Sequence, residues 1–293
     1  MSDIAVIVDS SSALPADLRA ENHIFQVNVP IIFGTTTIKE NEGLDTVAEL
    51  TAKIAADGVM PTTASPAPGD WEVVLDEAAA AGYDQAILLT LSSGFSGGFQ
   101  AANIAATTYE KMHDVRAWDS KVTTLGLGWQ ALLAAKMAEN GATIDAIFDK
   151  LAILRDQMNV RFVVNDIAHL QRTGRVSAGA ALIGGLLNIK PILAIDVDNE
   201  GKISAIGKAR KMSGALKDVK AALAATLADY DLPMRGAVID GNNADLADKW
   251  RDELAAEFPD MPFDRSVLTP YIGVHTGDGA MGVLWSVDWE KLV

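Results

Sequence analysis

The sequence predicts a two-domain α/β protein, with an N-terminal doubly wound parallel sheet and a C-terminal mixed α/β domain. Its 293 residues exceed the usual size of one core. The first half alternates helical segments with short runs rich in Val, Ile and Leu, which are typical of strands covered on both faces. Beyond residue 160 a hairpin pattern replaces this alternation. We therefore expect domains at 1–160 and 161–293, with a ligand at their junction.

The N-terminal elements follow the strand and helix order of a parallel sheet. We predict strands at 4–8, 25–32, 86–90 and 115–118, and helices at 15–21, 46–56, 69–81, 95–112, 124–140 and 144–158. Small polar residues follow three of these strands, at Asp9-Ser10, Ser92-Ser93 and Asp119-Ser120. Ligands of open α/β sheets bind at the carboxyl ends of strands, so these turns mark the expected binding edge.

The second domain is predicted to be mixed. Its strands are expected at 162–164, 192–197, 202–207, 236–239, 266–268 and 271–275, and its helices at 167–171, 180–187, 214–229 and 244–257. The turn at 198–201 joins the second and third strands as a hairpin. The segment 196–201 also begins like a calcium loop, but position twelve is Gly207 and not the required Glu, so we expect no metal there.

Bulk composition excludes several classes of protein. The net charge of −15 disfavours binding to nucleic acid or to an acidic membrane surface. The absence of cysteine removes disulfides and thiolate chemistry. No apolar run reaches the roughly 18 residues of a membrane span, and the first residues do not resemble a signal peptide. We expect a cytoplasmic protein without stable membrane insertion.

The strongest local signal is LSSGFSGG at 91–98, a Ser- and Gly-rich turn between a strand and a helix. Converging hydroxyls and backbone N–H groups at such a turn form a site for a phosphate, a carboxylate or an oxyanion. Further donors stand in other small-residue turns: Thr62 and Thr63, Arg175, and His275. Taken singly, each has a simpler explanation as a helix cap, a surface ion pair or a core histidine.

Two further motifs suggest other chemistry. Residues 94–98 fit G-x-S-x-G and are followed along the chain by Asp240 and His275, the order of an α/β-hydrolase, so Ser96 is an alternative nucleophile. Against this, three serines share a permissive loop where a nucleophile elbow presents one. Residues 277–282 fit G-x-G-x-x-G, but the 11 residues that follow, 293 minus 282, leave no room for the helix of a dinucleotide site.

Five sequence blocks carry a family pattern: VDSSSALP at 8–15, PTTASPAPGDW at 61–71, the 91–102 segment, 167–193 with its QRTGRVS, and GVHTGDGAMG at 273–282. Together these blocks resemble the DegV-like family, which includes the FakB subunit of bacterial fatty acid kinase. They stand in the family's order and span nearly the whole chain. The resemblance implies two α/β domains that enclose one long-chain fatty acid, with its carboxylate at the junction.

The resemblance also implies residue roles and a partner. Thr63, Ser93 and His275 would contact the carboxylate, Ser96 would shape the turn, and Arg175 would sit beside a developing phosphate. An ATP-dependent kinase subunit would phosphorylate the bound acid, and Arg210, in a segment with Lys202, Lys208 and Lys211, would face it. By this resemblance the chain is a lipid-binding subunit that has no catalysis, cofactor or metal of its own. A sensor of small molecules is a third class.

The sequence departs from the family pattern close to the expected site. Ala64 replaces a serine, Gly98 a threonine, Thr173 a glycine and Asp278 a proline. Two of these changes remove hydroxyls and one adds a negative charge. Acyl-chain length, unsaturation and oligomeric state are not specified by these patterns.

Overall fold

The structure, a computed structural model, describes residues 3–176, 189–229 and 232–293. In chain order the strands are β1 Ile4–Asp9, β2 Ile24–Val27, β3 Pro30–Phe33, β4 Thr36–Lys39, β5 Thr62–Thr63, β6 Gln85–Thr90, β7 Asp114–Asp119, β8 Asn159–Val163, β9 Lys190–Asp196, β10 Lys202–Ala209, β11 Met234–Asp240, β12 Phe263–Val267 and β13 Met281–Val287. The helices are α1 Ala16–Glu21, α2 Val47–Asp57, α3 Pro68–Ala80, α4 Gly98–Thr108, α5 Leu125–Glu139, α6 Ile144–Asp156, α7 Ala168–Arg172, α8 Met212–Asp229, α9 Ala244–Glu257 and α10 Pro270–Thr276. The predicted helix at 180–187 lies outside the described residues.

The predicted parallel sheet is confirmed. Within the described ranges its strand order is β2-β1-β6-β7, and every neighbouring pair is parallel. All six residues of β1 are buried, because α3 and α4 cover one face of the sheet and α5 packs against the other. This two-sided burial explains the continuous apolar sequence of β1 and β6.

The second sheet is mixed, as predicted, but one of its interior strands was not expected from the sequence. Within the described ranges the strands run β10-β9-β8-β13-β11-β12, in which only β11 and β12 pair in parallel. The interior strand β13 was not predicted. All strands of this sheet come from residues beyond 158. The proposed domain boundary near residue 160 stays a prediction.

Two predicted strands are wrong. The segment 271–275 belongs to helix α10, whose first residue is Pro270, a residue preferred at the first helical position. The segment 25–32 is two strands, because the chain leaves the parallel sheet after Val27 and Pro30 begins β3. Strand β3 pairs with β4 and β5 in a separate antiparallel sheet. This small sheet brings Thr63 to the site described below.

The helix predicted at 95–112 is shorter than expected. It begins at Gly98 and ends at Thr108. The residues before it form the Ser- and Gly-rich turn, which leads from the carboxyl end of β6 to the start of α4. The turn is also fixed to the second sheet, since Ser92 Oγ donates to the carbonyl oxygen of Gly201 at 3.0 Å, in the β9–β10 hairpin.

Candidate binding site

An apolar cavity lies between the two large sheets. Within it, the centre of a water-sized sphere can occupy about 70 Å³. The Ser- and Gly-rich turn contributes Leu91 and Phe95, and the second sheet contributes aliphatic and aromatic side chains from five strands. These are Val160, Phe162, Ile195, Ile203, Ile239, Met281, Val283 and Leu284. Such a lining favours an apolar ligand over a polar one.

A cluster of hydrogen-bonding groups adjoins this lining. Thr63 Oγ1 and His275 Nε2 are 2.8 Å apart, although 212 positions separate them in the chain. The ring of Tyr271 lies edge-on to that of His275, at 5.8 Å between centroids. Tyr271 and His275 both line the cavity and stand one turn apart on α10, so a single short helix presents both side chains.

Ser96 joins the same cluster. The pKa of Tyr271 is raised mainly by burial, while hydrogen bonds with Ser96 and Thr63 lower it. The Ser96 hydroxyl also lies 3.3 Å from Ser65 Oγ and accepts from the N–H of Gly98 at 3.1 Å. Residues from the small sheet, the turn and α10 therefore meet at one place, and Tyr271 is a member that the sequence analysis missed.

His275 is neutral in this setting. Burial is the largest cause that lowers its pKa, to about 3, and the nearby guanidinium groups of Arg175 and Arg172 act in the same direction. A neutral imidazole offers one N–H donor and one acceptor. Its Nδ1 atom is buried and has no hydrogen-bond partner in the described structure. The ring thus serves as a polar contact and not as a counter-ion.

Arg175 supplies positive charge at the cavity. Its guanidinium lines the cavity and donates to the carbonyl oxygens of Thr173 and, at 3.4 Å, Phe95. Arg172 donates to the carbonyl oxygens of Pro61 and Val274. Among the described residues, neither arginine has a carboxylate within 4.0 Å. Their charge is therefore available to an anionic ligand.

Ser93 is placed differently from the prediction. It is exposed, its Oγ donates to Asp119 Oδ2 at 2.5 Å, and its N–H donates to Asp119 Oδ1 at 3.0 Å. Asp119 is the end of β7, so Ser93 ties the turn to the next strand of the parallel sheet. Like Thr63 and Ser96, it does not line the cavity itself, but unlike them it has no contact with Tyr271 or His275 in the described structure. The geometry favours Ser96 over Ser93 as a donor to a ligand.

Arg210 lies apart from the cavity lining, just beyond the end of β10. Its side chain is exposed, as are those of Lys208 and Lys211. In the described part of the chain none of these three cations has a carboxylate within 4.0 Å, whereas Lys202 pairs with Glu200 at 2.5 Å. Three unpaired cations form a local positive patch on a strongly acidic protein.

The arrangement does not form a hydrolase triad. A catalytic histidine needs a hydrogen bond to its nucleophile and an orienting group on its other nitrogen. Here Nε2 contacts Thr63, and Nδ1 has no partner among the described residues. Asp240 accepts instead from Arg265 and from the N–H of Asn243. A pKa of about 3 also makes His275 a poor base.

The departures from the family pattern lie mostly outside the cluster. Ala64 is exposed beside Thr63, and Thr173 turns its hydroxyl to the carbonyl oxygen of His169 at 2.9 Å. Asp278 is exposed, and its carboxylate accepts from Asn242 Nδ2 at 2.7 Å. Gly98 begins α4, where an added Cβ would lie 3.4 Å from Ser96 Oγ. Gly98 is therefore the departure that bears most directly on the site.

Two properties of the described residues define the class of site further. No group of three or more His, Asp or Glu side chains there is arranged to hold a metal ion. None of the helices described is both long and apolar enough to cross a bilayer. The fold and the cavity define an α/β protein with an internal apolar site next to neutral donors and unpaired arginines.

Comparison with known proteins agrees with this class. A family model described as "Uncharacterised protein, DegV family" matches residues 3–288, and the chain belongs to the DegV family. A DegV domain-containing protein of Listeria innocua is 33% identical over 284 residues, which are 97% of this chain and 98% of that protein.

Solved structures show the same fold. The crystal structure of DegV, a fatty acid binding protein from Bacillus subtilis, matches with a TM-score of 0.87 and 34% identity over 98% of this chain and 100% of that one. The structure of a DegV family protein from Thermus thermophilus, concerned with its fatty acid binding, matches with a TM-score of 0.88 and 29% identity over the same shares. The predicted α/β fold class is confirmed by these matches.

Proposed function

We propose that this protein binds one long-chain fatty acid, with its hydrocarbon tail in the apolar cavity and its carboxylate at the cluster of Thr63, Ser96, Tyr271 and His275. The observation that carries the proposal is the adjacency of the two: an aliphatic cavity beside neutral donors. The fatty acid binding of the Bacillus and Thermus relatives supports it.

Most of the binding free energy would come from the tail. Each buried methylene contributes roughly 0.8 kcal/mol, so a long acyl chain contributes on the order of 10 kcal/mol before the cost of association. The head group would supply selectivity, because an ionised carboxylate accepts hydrogen bonds that an ester or an alcohol does not reproduce. Arg175 would add the charge that favours an anion over a neutral lipid.

We further propose that the bound acid is presented to an ATP-dependent kinase subunit, in the manner of FakB, and that the protein works in the cytoplasm. Donors that are neutral orient a carboxylate without neutralising it, so its oxygen stays able to attack a phosphoryl group. Arg175 would then face the phosphate that develops. Arg210 and its neighbouring lysines would meet the kinase, as their exposure and free charge allow.

Native mass spectrometry of the purified protein tests the first proposal. One bound mass that matches a long-chain acid, released on denaturation, is the expected result. A protein that carries no lipid, and that takes up no oleic or palmitic acid after delipidation, would contradict it. The kinase step is tested separately: loaded protein with ATP should form acyl phosphate only when the kinase is added.

A further inference from the structure

Glu40 is a buried carboxylate that the proposed head-group contacts do not use. It is 1% exposed and stands just after β4. Its Oε2 accepts from Ser10 Oγ and its Oε1 accepts from the N–H of Tyr271, both at 2.6 Å. A carboxylate is costly to bury, so these two hydrogen bonds must offset its lost hydration.

Glu40 is not held there by an ion pair. Within the described ranges no lysine, arginine or histidine nitrogen lies within 4.0 Å of it, and the adjacent Lys39 pairs with Asp70 instead. Two neutral groups donate to it, the hydroxyl of Ser10 and the backbone N–H of Tyr271. Whenever it is ionised, this carboxyl group would oppose binding of the proposed anion, so any favourable contribution to binding comes from its hydrogen bonds.

The contact with Tyr271 shows what it contributes. Tyr271 is the second residue of α10, and the first N–H groups of a helix have no partner within the helix. Glu40 accepts from one of them and so fixes where α10 begins. The helix then carries the Tyr271 side chain and, one turn later, His275 into the head-group cluster.

The other side of α10 is closely packed, so the helix has little room to shift if the contact with Glu40 is lost. At Gly273, midway between Tyr271 and His275, an added Cβ would lie 3.0 Å from side-chain atoms of Val47 and Leu50 on α2. This close packing holds the middle of the helix while Glu40 holds its start. A small displacement at Tyr271 would therefore move the hydroxyl and imidazole relative to Thr63 and Ser96.

We propose that Glu40 is a positioning residue that sets the selectivity of the site for a carboxylate head group, through its hydrogen bond to the N–H of Tyr271. This inference rests on the proposed binding of a fatty acid. It predicts that loss of the two acceptor oxygens weakens recognition of the head group more than recognition of the tail.

The test compares oleic acid with methyl oleate, which has the same tail but no carboxylate, as ligands of the delipidated full-length protein. In Glu40→Leu, which removes both acceptors, the preference for the acid should fall about tenfold, the effect of about one hydrogen bond. Glu40→Gln should restore most of the preference, because its carbonyl oxygen can still accept from Tyr271 while its amide donates to Ser10. Asp288→Asn removes another buried carboxylate, one bonded to Arg235, and should leave the preference unchanged.

Equal weakening of acid and ester in Glu40→Leu, or an unchanged preference, would overturn the inference. If Glu40→Leu does not fold, Ser10→Ala is the variant that tests the inference. It removes the hydrogen bond to Glu40 Oε2 and should lower the preference for oleic acid over methyl oleate by a smaller factor. An unchanged preference in Ser10→Ala would then overturn the inference. Failure of the proposed function looks different, because the wild-type protein itself would bind neither ligand, and this inference would fall with it.

Discussion

Thr63 and His275 contact each other directly, with Oγ1 and Nε2 2.8 Å apart, and so join the small antiparallel sheet to helix α10 beside the cavity. Neither group is ionised, since the pKa of His275 is lowered to about 3, mainly by burial. Two neutral groups that face one another can both turn to an incoming carboxylate.

Replacing Thr63 by valine should weaken fatty acid binding. The isosteric change removes one hydroxyl donor to a charged acceptor, a loss of about 1.5 to 3 kcal/mol, or roughly tenfold to a hundredfold in Kd. Thr63→Ser keeps the hydroxyl and serves as the control. Isothermal titration of delipidated protein measures both, and equal Kd values for Val and Ser variants would contradict the assigned contact.

Ser96 and Ser93 lie in the same turn, so a variant of one serves as the control for the same variant of the other. Ser96→Ala should raise the Kd for a fatty acid about tenfold, because it removes a donor from the cluster. Ser93→Ala should leave that Kd within about twofold, because the Ser93 hydroxyl is bonded to Asp119. The opposite ranking in the same titration would assign the carboxylate to Ser93 instead.

The cavity itself can be narrowed at Gly282. This residue lines the cavity on β13, and an added Cβ would meet Phe162 at 3.6 Å, an ordinary contact. Gly282→Leu should occupy room for two or more methylenes and weaken binding of oleic acid about tenfold or more, with a smaller effect on octanoic acid. Gly282→Ala is the control. The same loss for both acids would place the tail elsewhere.

Glu40 should make stability depend on pH. Burial, the largest cause, raises its pKa from 4.5 to about 7, so the folded protein binds a proton that the unfolded chain releases between these values. Stability from this group is therefore present below pH 4.5 and lost as pH rises through 7. Relative to Glu40→Gln, the wild type should lose on the order of 3 kcal/mol of unfolding free energy across that window.

Urea denaturation of the two proteins at several pH values between 4.5 and 8 measures this difference. His275 titrates in both proteins, but the charge of Asp9, whose pKa burial raises to about 6, also raises the pKa of Glu40, so the difference reports Glu40 together with its coupling to Asp9. A constant difference between wild type and variant over the range would show that folding does not raise the pKa of Glu40.

Arg210→Ala should separate binding from presentation. The side chain is exposed and does not line the cavity, so the Kd for a fatty acid should not change. Acyl-phosphate formation with ATP and the kinase subunit should slow, because rim charges mainly steer association. Lys217→Ala, at another lysine, is a control for loss of one charge. Unchanged turnover in Arg210→Ala would remove this residue from the interface.

The parallel sheet and most helices could be predicted from the sequence because buried β1 and β6 and the amphipathic helices each carry a local pattern. Two of the failed predictions lie at Pro30 and Pro270. Each begins an element of a type that depends on its neighbours: Pro30 starts β3 in a different sheet, and Pro270 starts a helix where β-branched and aromatic residues suggested a strand.

The site was predictable in part. Thr63, Ser96, Arg175 and His275 stood in recognisable blocks, and the structure places them near the cavity. Tyr271 was missed because it was assigned to a strand, in which a residue four positions on lies about 13 Å away and not one helical turn along. Glu40 was missed because no local pattern shows that a carboxylate 231 positions away accepts from the N–H of Tyr271.

The most direct test of the account uses oleic acid labelled with ¹³C at its carboxyl carbon, bound to the delipidated protein and observed by NMR. We predict one resonance, distinct from that of the free acid, that moves in Thr63→Val and in Ser96→Ala and stays in place in Ser93→Ala. A carboxyl resonance identical in all four proteins, or identical to that of free acid in solution, would contradict the central claim that these groups hold the head of the lipid.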